Sequence, residues 1–110
     1  MQSHAIVVSD REGKIHLFSP GAESLFGYRA SEALGQSLDL IVPPKFRERH
    51  WAAFHNAMKT GHSKLQDVAT ELPVVLKDGS TKTFPARFFF LRDGKDRAVG
   101  AMAVYSAAEP

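Results

Sequence analysis

The stretch VATELPVVLKDGSTKTFPARFFFLRDGKDRAVGAMAVY, residues 68–105, decides the fold of this chain. Val68, Thr70, Leu72, Val74 and Leu76 recur with period two up to Asp78-Gly79, a dipeptide suited to a tight turn. Thr83 to Leu91 and Val99 to Tyr105 follow, separated by a second turn signal near Asp93-Gly94. The stretch therefore reads as three consecutive antiparallel strands. Pro73 lacks an amide hydrogen for the ladder and implies an edge position or a bulge. In the last strand Val99, Ala101, Ala103 and Tyr105 share one face, and Gly100, Met102 and Val104 the other. Both faces are largely apolar, so one is expected to meet helices and the other a partner or a flanking helix.

Outward from this stretch, Ala5 to Ser9 is a continuous β-prone apolar run, Asp10-Arg11-Glu12-Gly13 a turn, and Lys14 to Phe18 a second alternating run; together they predict a hairpin. Ser19 offers a capping hydroxyl before Pro20, Leu25 and Phe26 supply an apolar edge, and Gly27 suits a helix stop. A second small helix is expected around Ser31 to Leu34, ending at Gly35. Leu38 to Val42 leads into Pro43-Pro44, which opens the one longer helix over about residues 45 to 60, stopped at Gly61. Two strands, short helices, a long helix and three strands imply an α+β fold: a five-stranded antiparallel sheet with the helices packed on one face.

The chain has 110 residues and a mass of 12.1 kDa, which suits one domain over residues 1–110 with one core. Its apolar share of 44% and charged share of 24% are those of a globular protein. Basic and acidic residues are interspersed and the formal net charge is only +2, so no nucleic-acid-binding stripe is present. No apolar segment approaches the roughly 20 residues that span a bilayer, and Met1-Gln2-Ser3-His4 lacks the marks of a signal peptide. The expected location is cytoplasmic. The absence of cysteine removes disulfides, thiolate-ligated zinc, thioether-linked haem and thiol-adduct photochemistry.

Four motifs in register resemble the PAS family of sensor domains: Asp10-x-x-Gly13-x-Ile15; Ser19-Pro20-x-Ala22-x-x-x-Phe26-Gly27-Tyr28; Glu32-x-x-Gly35; and Lys77-Asp78-Gly79-Ser80 before Phe84-Pro85. Ser19 stands where asparagine is usual, and serine also caps helices. The segment Pro43-Pro44-Lys45-Phe46-Arg47-Glu48-Arg49-His50, continuing to Thr60-Gly61, is similar to the haem-bearing PAS domain of FixL-type oxygen-sensor kinases. That resemblance places His50 at the histidine that binds the iron of haem b. It also implies a diatomic gas or redox signal. The position from which an arginine hydrogen-bonds oxygen in those domains corresponds to Thr70 or its neighbour, which argues against oxygen sensing by the same contact.

The residues allow the haem reading independently. Phe46, His50, Ala53, Phe54 and Ala57 fall on one helical face, an apolar stripe carrying a single imidazole. Val68, Thr70, Leu72, Phe84, Ala86, Phe88 and Phe90 supply an opposing wall. Lys45, Arg47 and Arg49 are in reach of haem propionates, although basic residues there also suit a solvated face. His55 lies about 140° round the helix from His50 and is expected at the surface. No set of His, Asp and Glu shows zinc-ligand spacing.

Two other readings are open. A flavin held without covalent attachment, with Trp51, Asn56 and Thr70 near it, would make a redox sensor. Alternatively no cofactor binds, Phe84, Phe88 and Phe90 fill the core, and the outer sheet face pairs with a second copy or a signalling partner. No nucleophile elbow, phosphate loop or paired-carboxylate pattern supports an enzyme.

Overall fold

A computed structural model describes residues 4–107. Its strands are β1 (His4–Asp10), β2 (Ile15–Phe18), β3 (Thr70–Val75), β4 (Thr81–Arg92) and β5 (Ala98–Ser106). Between the second and third lie the helices α1 (Pro20–Phe26), α2 (Ala30–Ala33) and α3 (Arg47–Thr60), with short 3-10 turns at Leu38–Leu40 and Pro44–Phe46. The fold is α+β, with a wholly antiparallel sheet in the order β2-β1-β5-β4-β3. Among the described residues no helix is long and apolar enough to cross a membrane.

Local chemistry sets the helix ends. The Ser19 hydroxyl accepts from the amides of Ala22 (3.2 Å) and Ile6 (2.8 Å), so one side chain caps α1 and ties it to β1. Gly27 and Gly61 close α1 and α3 in the left-handed conformation, where a Cβ is unfavourable.

The C-terminal strand joins the two halves of the chain. β5 runs between β1 and β4, with Ala103 opposite both Val7 and Phe88. Pro73 lies in β3, at the sheet edge, as its missing amide requires. Val68 is not part of that strand, which begins at Thr70.

Val99 does not share the face of Ala101 and Tyr105 that the alternation predicts for it. The ladder shifts beside Leu91 and Arg92: Gly100 pairs with Leu91 and Ala98 with Arg92, leaving Val99 as an extra residue, 39% exposed. Ala98 takes the core position instead, 2% exposed. The second turn also differs in detail, because Asp96, not Gly94, adopts positive φ (62°).

Candidate functional site

The core on the helix-covered face has two parts. In the first, Phe26 packs edge-on against Phe84 (5.3 Å) and Tyr105 (5.1 Å), surrounded by Val7, Ile15, Ala22 and Val74. Gly21 lies so close to the His4 carbonyl that any side chain there would displace α1 from β1. The second part lies under α3, where Phe54 and Met58 meet Ala98 and Ala101 of β5, flanked by Leu38, Trp51, Phe88 and Phe90. Alanines on the strand let the helix approach, and the Phe88 and Phe90 rings meet edge to face at 5.1 Å.

Both ends of α3 are anchored by polar contacts. Near its start, Trp51 Nε1 donates to Asp39 Oδ1 at 2.7 Å, and Arg47 donates to the carbonyls of Val42 and Asp39, each at 3.1 Å. The Trp51 ring lies against Gly13, at φ 83°, where an added side chain would strike the indole. At its end, Arg92 Nη2 donates to the Gly61 carbonyl at 2.8 Å.

His50 sits on this helix beside Trp51 (4.8 Å, edge-on) and over Phe54 (5.8 Å, stacked). Burial pushes its pKa below the usual histidine value; the field of Asp39 opposes that shift and His55 adds to it. The ring is therefore neutral near pH 7, the form that ligates metals. Its Nδ1 is buried and has no hydrogen-bond partner.

A second buried polar atom without a partner, Ser9 Oγ, belongs to the same region, because Ser9 stands opposite Ala101 in the ladder. Unsatisfied buried groups are uncommon and point to a missing partner. This region fits a bound group that offers a bond to an imidazole and lies against an apolar wall. Among the described residues no three His, Asp or Glu side chains converge to hold a metal. Iron held through His50 would thus need its other ligands from a macrocycle.

The remaining expected site residues are dispersed. Phe54, Phe88 and Phe90 come together, and Ala57 is buried on the same helix, but Ala53 is exposed. Leu72, Phe84 and Ala86 belong to the first part of the core. Phe46 lies beneath the cations of Lys45 (5.1 Å) and Arg49 (5.7 Å). Thr70 pairs with Ala86 and lines a cleft of about 370 Å3 with Glu71, Arg87 and Val104, a cleft that His50 does not line. Val68, 44% exposed, lies with Leu65, 47% exposed, on the segment after α3. Bonds from Asp67 N to the Phe88 carbonyl and from Arg87 Nη1 to the Asp67 carbonyl, each 2.8 Å, hold that segment along β4. Sequence reasoning missed Ser9 and the Gly13–Trp51–Asp39 contact. Gly13 was the available signal, but it reads equally well as a turn glycine.

The family model described as PAS fold matches residues 3–106. The chain is 28% identical over 76 residues to the oxygen sensor protein DosP of Escherichia coli strain K12, covering 69% of this chain and 9% of that protein. It is 32% identical over 77 residues to the sensor protein FixL of Bradyrhizobium diazoefficiens, covering 70% of this chain and 15% of that protein. The match thus spans only a small part of either relative. The fold superposes on the PAS domain of a protein from Colwellia psychrerythraea with a TM-score of 0.80 and 24% identity, over 96% of this chain and 86% of that one. A light-oxygen-voltage domain studied with a flavin analogue matches with a TM-score of 0.73 and 26% identity, over 96% and 78%. With a family match across nearly its whole length and a fold that superposes on a PAS domain over 96% of the chain, the chain belongs to the PAS family of sensory domains.

Proposed function

We propose that this domain is a non-catalytic sensor that binds haem b through His50 and responds to a diatomic gas or to redox state. The observation that carries this reading is the half-buried His50 imidazole on α3, kept neutral by its surroundings, with a buried Nδ1 that has no hydrogen-bond partner. Similarity to an oxygen sensor protein and to FixL supports it. Haem, when bound, would supply an iron that can take a gas or change oxidation state.

The chain's own residues define the surroundings. Phe54 and Ala57 support the histidine side, and Phe88 and Phe90 form the facing wall. Leu65 and Val68, exposed on a segment held along β4 through Asp67, would supply apolar cover to a ligand at that wall. The Ser9 hydroxyl is free to donate to it. Thr70, at or near the position where FixL-type domains use an arginine, lines a cleft that does not include His50, so the gas is not assigned to oxygen. A ligand that moves α3 acts directly on β5, against which the helix packs, and so on the central strand of the sheet.

One observation favours a second reading, a cofactor-free dimerisation module. Phe54, Met58, Ala98 and Ala101 already pack against one another. On the other sheet face Leu17, Val8, Met102 and Phe89 are cross-strand neighbours, an apolar row suited to a second copy or a signalling partner.

Absorption spectra from the near ultraviolet to the red, on protein expressed with a haem precursor, separate the two. A Soret band that shifts on reduction and is lost in His50→Ala is expected. A featureless wild-type spectrum with dimeric behaviour in solution would replace the first reading with the second. A flavin spectrum would assign a redox sensor of the other kind.

A further inference from the structure

A second cleft, of about 320 Å3, opens where the end of α3 meets the β4–β5 turn and the turn after β1. Arg11, Lys59, Arg92 and Arg97 line it with a single carboxylate, Asp96. With Asp93 paired to Arg97 at the rim, four cations meet two carboxylates, so this one cleft carries an excess equal to the net charge of the whole chain, +2. The floor is apolar, formed by Met58 and Ala98, both buried members of the core part under α3.

Two of the cations, Arg11 and Arg92, are held by backbone carbonyls. Arg11 Nη1 donates to the Ala98 carbonyl at 3.0 Å. Arg92 donates to the carbonyls of Gly61 (2.8 Å) and Asp96 (3.1 Å), while the Asp96 carboxylate lies 3.7 Å from Arg92 Nε and its side chain is 86% exposed. Arg97 alone has a close carboxylate, Asp93 at 2.9 Å. Among the described residues neither Arg11 nor Lys59 has an ion-pair partner. Like charges held in one concave site repel one another and favour a bound anion. Planar guanidinium groups with unused N–H donors suit phosphate oxygens, and the volume is that of a small-molecule site. Charges elsewhere are interspersed, so a long polyanion has no continuing stripe to follow.

We propose that this cleft binds a small phosphate-bearing polyanion, of the size of pyrophosphate or a phosphorylated metabolite, and that binding clamps the end of α3 to the β4–β5 turn. Lys59 engages from the helix, Arg92 and Arg97 from the turn, and Arg11 from the first hairpin. The site does not depend on any cofactor at His50.

The test is calorimetric titration with pyrophosphate against sodium chloride of matched ionic strength, alongside thermal melting. Wild type is expected to bind saturably and to melt several degrees higher at saturation. Lys59→Gln and Arg97→Gln are each expected to weaken binding about tenfold, as loss of one charge-assisted contact does. Lys59 is exposed in the last turn of α3, and Lys59→Gln without ligand is expected to melt as wild type does. Absence of saturable pyrophosphate binding by wild type overturns the proposal, as does undiminished, wild-type affinity in both variants. Binding to phosphatidylserine vesicles without affinity for pyrophosphate also overturns it, and assigns the patch to a membrane surface.

Discussion

The two parts of the core use similar residues to different ends. Around Phe26 the aromatic rings interlock, and the largest side chains (Phe26, Phe84, Ile15, Val74) are essentially inaccessible. Under α3 the buried members are fewer, their neighbours are half-buried, and the buried polar atoms without partners are both found there. The first part holds the fold. The second leaves binding capacity unspent, the condition for sensing a ligand by packing and bonding to it.

The largest expected effect comes from truncating each part in turn. Phe26→Ala should destabilise by about 3–5 kcal/mol, the range for a large aromatic removed from a closed core. Phe54→Ala should lose about half as much, since its surroundings can collapse or admit water. Denaturant unfolding of both variants gives the comparison, and equal losses would show that the α3 region is as tightly built as the other.

A smaller effect should appear in alkali. Burial pushes the Tyr105 phenol up to about 12 from its ordinary 10.0. The unfolded chain then ionises first, so stability is full below pH 10 and falls as pH rises toward 12. The total loss is about 2–3 kcal/mol at about 1.4 kcal/mol per pKa unit. Tyr105→Phe should flatten that limb, and an unchanged slope would mean that the ring is not sealed in the first part.

The smallest effect should appear in acid and belongs to the second part. The folded pKa of His50 lies below 6.5, so the unfolded state takes up the proton first. Its contribution is complete above pH 6.5 and is lost as pH falls through the folded value. In ligand-free protein His50→Gln should remove this step from the stability profile. A step that survives the substitution would place the titrating group elsewhere.

Much of the fold was legible because strand alternation and helix stops are local signals. The run from Thr70 to Val75, the Ser19 cap and the Gly27 and Gly61 stops stand where the sequence puts them. The site was less legible. Helical periodicity placed His50, Phe54 and Ala57 together, but it also counted Ala53, which is exposed. Val68 and Thr70 continue the alternation of β3, yet Val68 falls in the segment held by Asp67 and Arg87, where no ladder constrains its face. Ser9 gave no signal at all, since a serine at a strand end is ordinarily solvated.

The sequence by itself determined the elements, their order and the single imidazole on the long helix, because periodicity, capping and turn chemistry act over a few residues. Only the tertiary structure decided that β5 lies between β1 and β4, that a bulge exchanges Val99 for Ala98 beneath α3, and that four separated cations share one cleft. Those outcomes depend on which distant segments pack together, and burial and charge at a point in space are sums over residues that the chain keeps far apart.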